Sequence, residues 1–268
     1  MTGDRQQAGA DVACDIASCA ATGADAGADI AGASVVAVRQ AAPAGPDGAR
    51  IRSFGTRRGH LTPGQRAALA GLREAWAVPY RAARLDMRQV FGNEHPVTLE
   101  IGCGMGETTA RIAADNPDRN FLGIEVYPAG VGTLLRRIED LGLQNLRVIQ
   151  ADAVEVLENM IAPGALAGVN IFFPDPWPKK RHHKRRLIQA PFVNLVVQRM
   201  AIGARLHCAT DWAEYAGQML EVLSAEPSLR NCAQDFHPRP QWRPLTKFEQ
   251  RGLRLGHPVF DLIFERLG

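Results

Sequence analysis

Leu99-Glu100-Ile101-Gly102-Cys103-Gly104-Met105-Gly106 decides the fold. Residues 97–101 read as a strand, and three glycines at alternate positions then lead into a helix over 107–114. Glycine at those positions permits a tight turn and lets a ligand approach the backbone closely. A dinucleotide-binding turn would carry its third glycine at 107, but this chain has Glu107 there. With Glu100 just before the turn, the site would repel a pyrophosphate and suit a cationic ligand.

Outward from this turn, short apolar runs alternate with helical patterns. Strands are predicted over 121–126, 146–150, 169–173, 205–209 and 259–265. Helices are predicted over 129–141, just after Asp152, over 187–200 and over 212–225. Such alternation implies an α/β fold, a parallel sheet covered by helices on both faces. Ahead of the sheet, Pro63 opens one helical stretch through 88, with Leu69, Leu72, Trp76 and Tyr80 on one face.

Acids recur where successive strands end. Glu125 closes the second strand and suits the two hydroxyls of a ribose. Asp152 follows the third, placed for an adenine amine, with the Ala153 backbone N–H beside it. Each has an ordinary reading alone: Glu125 as a solvated strand end, Asp152 as a helix N-cap, the glycines as a common loop. Together with Glu100, Gly102 and Gly104 they suit S-adenosylmethionine, which joins an adenine, a ribose, a sulfonium and an amino-acid tail. They gather at the carboxyl ends of the strands, where open α/β sheets bind ligands.

After the fourth strand comes Pro174-Asp175-Pro176-Trp177-Pro178, then the cationic run Lys179-Lys180-Arg181-His182-His183-Lys184-Arg185-Arg186. Prolines restrict the backbone around Asp175 and Trp177. Asp175 can hold a flat polar ring, and Trp177 can stack on a base or pack the loop. The cations suit phosphates, although a run of this kind is also compatible with a solvated loop. No metal site is expected, because His182 and His183 have no further ligands at suitable spacing.

These motifs, with Thr210-Asp211-Trp212 and Thr246-Lys247-Phe248-Glu249-Gln250-Arg251-Gly252, resemble the tRNA (guanine-N7)-methyltransferase family over about 52–266. The glycine turn is shared by many methyltransferases, whereas the Pro-Asp-Pro-Trp and Thr-Lys-Phe-Glu runs are more specific. The resemblance implies the class I S-adenosylmethionine-dependent methyltransferase fold, Rossmann-like, with a mostly parallel seven-stranded sheet. It implies methylation of guanosine N7 at position 46 of the tRNA variable loop. It also implies cofactor contacts at Glu100, Glu125, Asp152 and Asp175, the last also at the reaction centre, which join Gly102, Gly104 and Ala153 from the reading of the turn and strand ends. The substrate contacts it implies are Lys179, Asp211, Thr246, Lys247, Phe248 and Glu249, to which the charge of the basic run adds Arg181, His182, His183, Lys184, Arg185 and Arg186 as phosphate contacts. One departure is Tyr127, where the family more often has His.

Composition narrows the remaining classes. At 46% hydrophobic residues the chain can bury a sizeable core. The net charge of +3 is unevenly spread: residues 1–47 carry −4, which leaves +7 on the rest and favours an anionic partner. Residues 1–50, rich in Ala and Gly with no aromatic, read as a disordered tail before one domain over 51–268 with a helical N-terminal extension. The five cysteines form no CxxC pair and fit reduced thiols in a cytoplasmic protein. No membrane span is expected, and aspartates at 11, 15, 25 and 29 interrupt any signal core. The oligomeric state is left between monomer and homodimer. Three rival classes stand against this reading. A methyltransferase of exocyclic amines is disfavoured by the two specific motifs. An RNA-binding module with a degenerate pocket is disfavoured by the intact acids, and a nicotinamide oxidoreductase by Glu107.

Overall fold

The computed structural model describes residues 51–55, 60–245, 249, 250, 254, 256 and 258–268. The tail expected over 1–50 and the substrate residues Thr246, Lys247 and Phe248 lie outside the described residues. In chain order the elements are α1 (Pro63–Gly71), α2 (Arg73–Trp76), α3 (Met87–Phe91), β1 (Val97–Ile101), α4 (Glu107–Asp115), β2 (Asn120–Ile124), α5 (Pro128–Asp140) and β3 (Leu146–Ile149). There follow α6 (Ala153–Asn159), β4 (Leu166–Phe172), a 3₁₀ turn (Lys180–Arg185), α7 (Ala190–Arg199), β5 (Met200–Thr210), α8 (Ala213–Ser224), β6 (Leu229–Asn231) and β7 (Phe260–Arg266).

The strands form one seven-stranded sheet in the order β3-β2-β1-β4-β5-β7-β6. Strands β1 to β5 pair in parallel, and β7 pairs antiparallel with both β5 and β6. Every residue of β1 and β2 is buried, as expected of central parallel strands covered on both faces. Along β2, Phe121 packs into the core beneath α1, α4 and α5, while Leu122 and Ile124 pack into the core beneath α6, α7 and α8. The strand order reverses between β1 and β4, which opens a crevice at their carboxyl ends.

Two expectations need correction. The single helix over 63–88 is instead α1, a short α2, an extended stretch and α3. The breaks fall where helix propensity fails: Gly71 ends α1, and Pro79 keeps Val78 out of the helical region. The interior partners of this region set its path as well, since the Val78 N–H donates to the carbonyl of Val148 on β3. The short edge strand β6 had no prediction, because three residues carry too little periodicity to read.

Candidate active site

The glycine turn is built from left-handed backbone. Gly102, Gly104 and Gly106 have φ of 77°, 55° and 69°, values that side chains disfavour. A Cβ on Gly106 would sit 2.3 Å from Leu134 Cδ1, so the start of α4 presses directly on α5. A Cβ on Gly130 would sit 2.5 Å from the Gly104 carbonyl oxygen, so the first turn of α5 presses on the turn itself. At Gly102, by contrast, nothing lies within 4 Å of an added Cβ. The turn is thus clamped from behind and open in front.

Glu125 fastens this clamp. Its Oε2 accepts from the Gly104 N–H at 2.8 Å, and its Oε1 accepts from the N–H groups of Val126 at 2.7 Å and Tyr127 at 2.8 Å. A carboxylate has about four acceptor sites. Three are engaged by backbone, which leaves room for about one bond to a ligand rather than the full pair expected for a ribose. Asp152 is the N-cap of α6, its carboxylate accepting from the Val154 N–H at 2.9 Å, with Ala153 opening the helix. Its ordinary reading as a cap is therefore real, and it follows the carboxyl end of β3, the strand that pairs with β2.

Glu100 lies at 5% exposure next to this turn. Burial pushes its carboxyl up to about 7, because an apolar setting disfavours the charged form. Burial likewise drives the Cys103 thiol well up, with Glu100 and Glu125 adding repulsion. Cys103 therefore stays a thiol, and its packing against Gly123 explains it: a Cβ on Gly123 would lie 2.9 Å from its sulfur. A buried acid beside an open glycine cradle fits the α-ammonium in the zwitterionic tail of S-adenosylmethionine, which would supply the missing counter-charge.

Beyond β4 the chain makes the Pro174–Trp177 turn. Phe173 and Trp177 both have positive φ, 52° and 45°. Such conformations cost of order 1–3 kcal/mol each for non-glycine residues and cluster at functional sites. Asp175 lies between them and is exposed. Trp177 packs the loop: its indole N–H donates to the Ser53 carbonyl at 2.9 Å, Arg185 stacks 3.8 Å above its ring, and His182 meets its edge. The N-terminal segment 51–55 runs alongside. Arg185 donates to the Phe54 carbonyl at 2.8 Å, and the Tyr127 hydroxyl donates to the Gly55 carbonyl. The segment thus joins the end of β2 to the Pro174–Trp177 turn.

The basic run divides into two groups. Lys179, Lys180, Arg181 and Lys184 are exposed on the 3₁₀ turn and beside it. Arg186 is not with them. Its side chain is fully buried, donates to both oxygens of Glu214 at 2.6 and 3.0 Å, to Gln218 and to the Pro176 carbonyl, and stacks on Tyr215. The expected phosphate contact at Arg186 is therefore replaced by a structural brace, which a row of consecutive cations does not reveal. His182 and His183 are half-buried; desolvation first, then Arg181 and its cationic neighbours, hold the His182 pKa down. Asp211 is exposed just past β5. Glu249, expected at the substrate, is instead buried and bonded twice by Arg243. Among the described residues no cluster of three or more His, Cys, Asp and Glu is placed to hold a metal ion, and no helix is long and apolar enough to cross a membrane.

A seven-stranded sheet in this order, with a glycine turn after β1 and acids at the ends of β1, β2 and β3, is the class I S-adenosylmethionine-dependent methyltransferase fold. Residues 94–262 match a family model described as "Putative methyltransferase". The chain is 59% identical over 233 residues to a tRNA (guanine-N(7)-)-methyltransferase of Bordetella pertussis, covering 87% of this chain and 92% of the relative. It is 60% identical over 219 residues to the enzyme of that name from Paraburkholderia xenovorans, covering 82% of this chain and 84% of the relative. The chain belongs to the tRNA (guanine-N(7)-)-methyltransferase family.

Proposed function

We propose that this protein transfers the methyl group of S-adenosylmethionine to N7 of a guanosine in tRNA, at position 46 of the variable loop, and works in the cytoplasm. The observation that carries the reading is the exposed Asp175 in a strained turn just past β4, the strand beside β1, whose end carries the buried acid and the glycine cradle. The cofactor, when bound, supplies an electrophilic methyl group on a sulfonium. Glu100 would hold its amino group, Gly102 and Gly104 its amino-acid tail, Glu125 a ribose hydroxyl, and Asp152 with the Ala153 N–H its adenine.

Guanine N7 carries a free lone pair and no proton, so the attacking atom needs no general base. What the protein must supply is alignment and stabilisation of the positive charge that develops on the purine. Asp175 serves both ends. Its carboxylate accepts from guanine N1–H and the N2 amino group, which fixes the ring, and its charge favours the cationic product. Lys179, Arg181 and Lys184 neutralise phosphates beside it, and His182 and Asp211 line the same approach. The test replaces the target base: tRNA carrying 7-deazaguanosine there, which lacks N7, should bind but accept no methyl group. Methylation of that substrate would place the reaction on another atom.

A further inference from the structure

We propose that Trp212 is a stacking platform for the tRNA base that adjoins the target guanosine, and so a further substrate-binding residue for the methylation. The proposal rests on the functional reading above, which puts the target guanine at Asp175. Among the described residues only two aromatic side chains are exposed, Tyr80 and Trp212. Tyr80 lies elsewhere, its hydroxyl accepting from Asn159 at the end of α6. Trp212, at 40% exposure, stands between the end of β5 and the start of α8, directly after Asp211.

The sheet register brings this residue beside the Pro174–Trp177 turn. β4 and β5 pair in parallel with Phe172 opposite Ala209, and the Phe173 N–H donates to the Ala209 carbonyl at 2.8 Å. The chain therefore leaves the two strands side by side, as Pro174-Asp175 from one and Asp211-Trp212 from the other. Arg186 ties the two exits together. Its guanidinium donates to the Pro176 carbonyl at 2.9 Å and to both oxygens of Glu214, two residues past Trp212. Trp212 is itself held at two points. Its backbone N–H donates to the hydroxyl of the buried Thr210 at 3.2 Å. Its side chain bonds Glu214: the Arg186 bond first, against some desolvation, then the charges of Arg186 and His183 and last this bond hold the Glu214 carboxyl below the usual carboxylate range. The indole N–H is the only polar group of that side chain, so the ring is fixed by its polar edge while its apolar surface stays open.

A single exposed apolar residue needs no explanation by itself. This one is fixed in place beside the proposed reaction centre, and the exposed Lys179, Arg181 and Lys184 follow the same turn, where they suit the flanking phosphates. The occupant is an unpaired base, because every base offers a π-face and single-stranded nucleic acid is held on such aromatic platforms. It is the neighbour of the target and not the target itself, because adjacent strands lie about 4.8 Å apart and the guanine is taken by Asp175.

The test uses the full-length protein with Trp212→Ala, Trp212→Leu and Trp212→Phe, and tRNA transcripts carrying the fluorescent base 2-aminopurine on one side or the other of the variable-loop target. The alanine and leucine variants should each raise the KM for unlabelled tRNA by about fivefold or more, whereas Trp212→Phe, which keeps a stacking ring, should stay within about threefold of the wild type. Cofactor affinity by calorimetry should hold within about twofold, and the slope of log tRNA affinity against log salt should not change, because no phosphate contact is lost. At saturating protein, one of the two transcripts should be quenched by the wild type and by Trp212→Phe, and most of that quenching should disappear in the alanine and leucine variants. Equal quenching by all four proteins in both transcripts would overturn the proposal. So would an unchanged KM in a folded alanine or leucine variant, or a KM for Trp212→Phe raised as far as that for Trp212→Leu, since a packing role is indifferent to the ring. If Trp212→Ala does not fold, Trp212→Leu decides in its place. Should the wild-type protein fail to methylate tRNA, the functional reading fails, and the quenching series still decides the stacking.

Discussion

The two halves of the crevice are held together in different ways. On the side proposed for the cofactor, at the ends of β1, β2 and β3, the parts are close in sequence and are fixed by backbone: Glu125 accepts from the N–H groups at 104, 126 and 127, and Asp152 caps the helix that follows it. On the side proposed for the substrate, at the ends of β4 and β5, long-range side chains do the holding. Arg186 braces the turn against Glu214, Arg185 and Trp177 grip segment 51–55, and Arg243 gathers Glu249, Asp261 and the Phe172–Phe173 pair. A small rigid ligand can be met by a preformed local frame. A large RNA needs a surface whose separate pieces are locked into one register.

The comparison predicts that single changes on the two sides fail differently. Asp175→Ala should give the largest effect: a loss of on the order of a hundredfold or more in kcat, with cofactor affinity and melting temperature nearly unchanged, because the side chain is exposed and the role proposed for it is to orient the guanine. Rapid-quench turnover with tRNA and calorimetry with S-adenosylmethionine separate the two. Glu125→Ala should weaken cofactor binding by at least about tenfold, since charge-assisted bonds contribute roughly 1.5–3 kcal/mol each and three backbone N–H groups are orphaned with it. Its effect on tRNA affinity should be smaller; equal losses for both ligands would break the separation of the two sides.

Neighbouring cations give a sharper contrast. Arg186→Ala should lower the melting temperature and leave the salt dependence of tRNA binding unchanged, because its side chain is buried and paired. Arg181→Ala with Lys184→Ala should do the reverse, reducing the slope of log affinity against log salt by about 0.7–0.9 for each phosphate no longer neutralised. Filter binding across salt concentrations checks both. An unchanged slope in the double variant would make the exposed cations solvated bystanders.

The smallest effect concerns pH. Glu100 has a carboxyl raised to about 7 in the folded protein. The folded state then holds a proton that the unfolded chain has lost, so this group's contribution to stability falls as pH rises from about 4.5 to about 7, by on the order of 3 kcal/mol at most. Cofactor binding runs the other way, because the ammonium needs the ionised acid. Affinity should be about tenfold weaker at pH 6 than on its plateau above pH 8. Glu100→Gln should flatten that dependence, and a pH dependence that survives the substitution would assign it to another group.

The glycine turn and the acids at the strand ends are legible in the sequence because their logic is local. Three glycines after a strand, and acids at the next two strand ends, lie within short windows and need no knowledge of what packs behind them. The parallel sheet is legible for the same reason, through alternating apolar runs. What stays hidden depends on distance in the chain. Arg186 looks like one more cation until Glu214, on α8, is placed beside it. Glu249 looks like a substrate ligand until Arg243 is seen to occupy both its oxygens. A signal for that cluster does exist: His207 and Asp261 are polar residues inside apolar strand patterns, and buried polar groups require partners. The broken helix over 63–88 escapes the reading because one apolar stripe outweighs Gly71 and Pro79, although those residues mark the true ends.

At the centre stands the claim that this crevice places a guanine N7 against the methyl group of S-adenosylmethionine. Incubation of the protein with unmodified tRNA and methyl-labelled cofactor, followed by nucleoside analysis and mapping of the label along the tRNA, tests it directly. The expected result is label in 7-methylguanosine at a single variable-loop position, and almost none when Asp175 is alanine. Label on an exocyclic amine, or equal labelling by the Asp175→Ala protein, would contradict it.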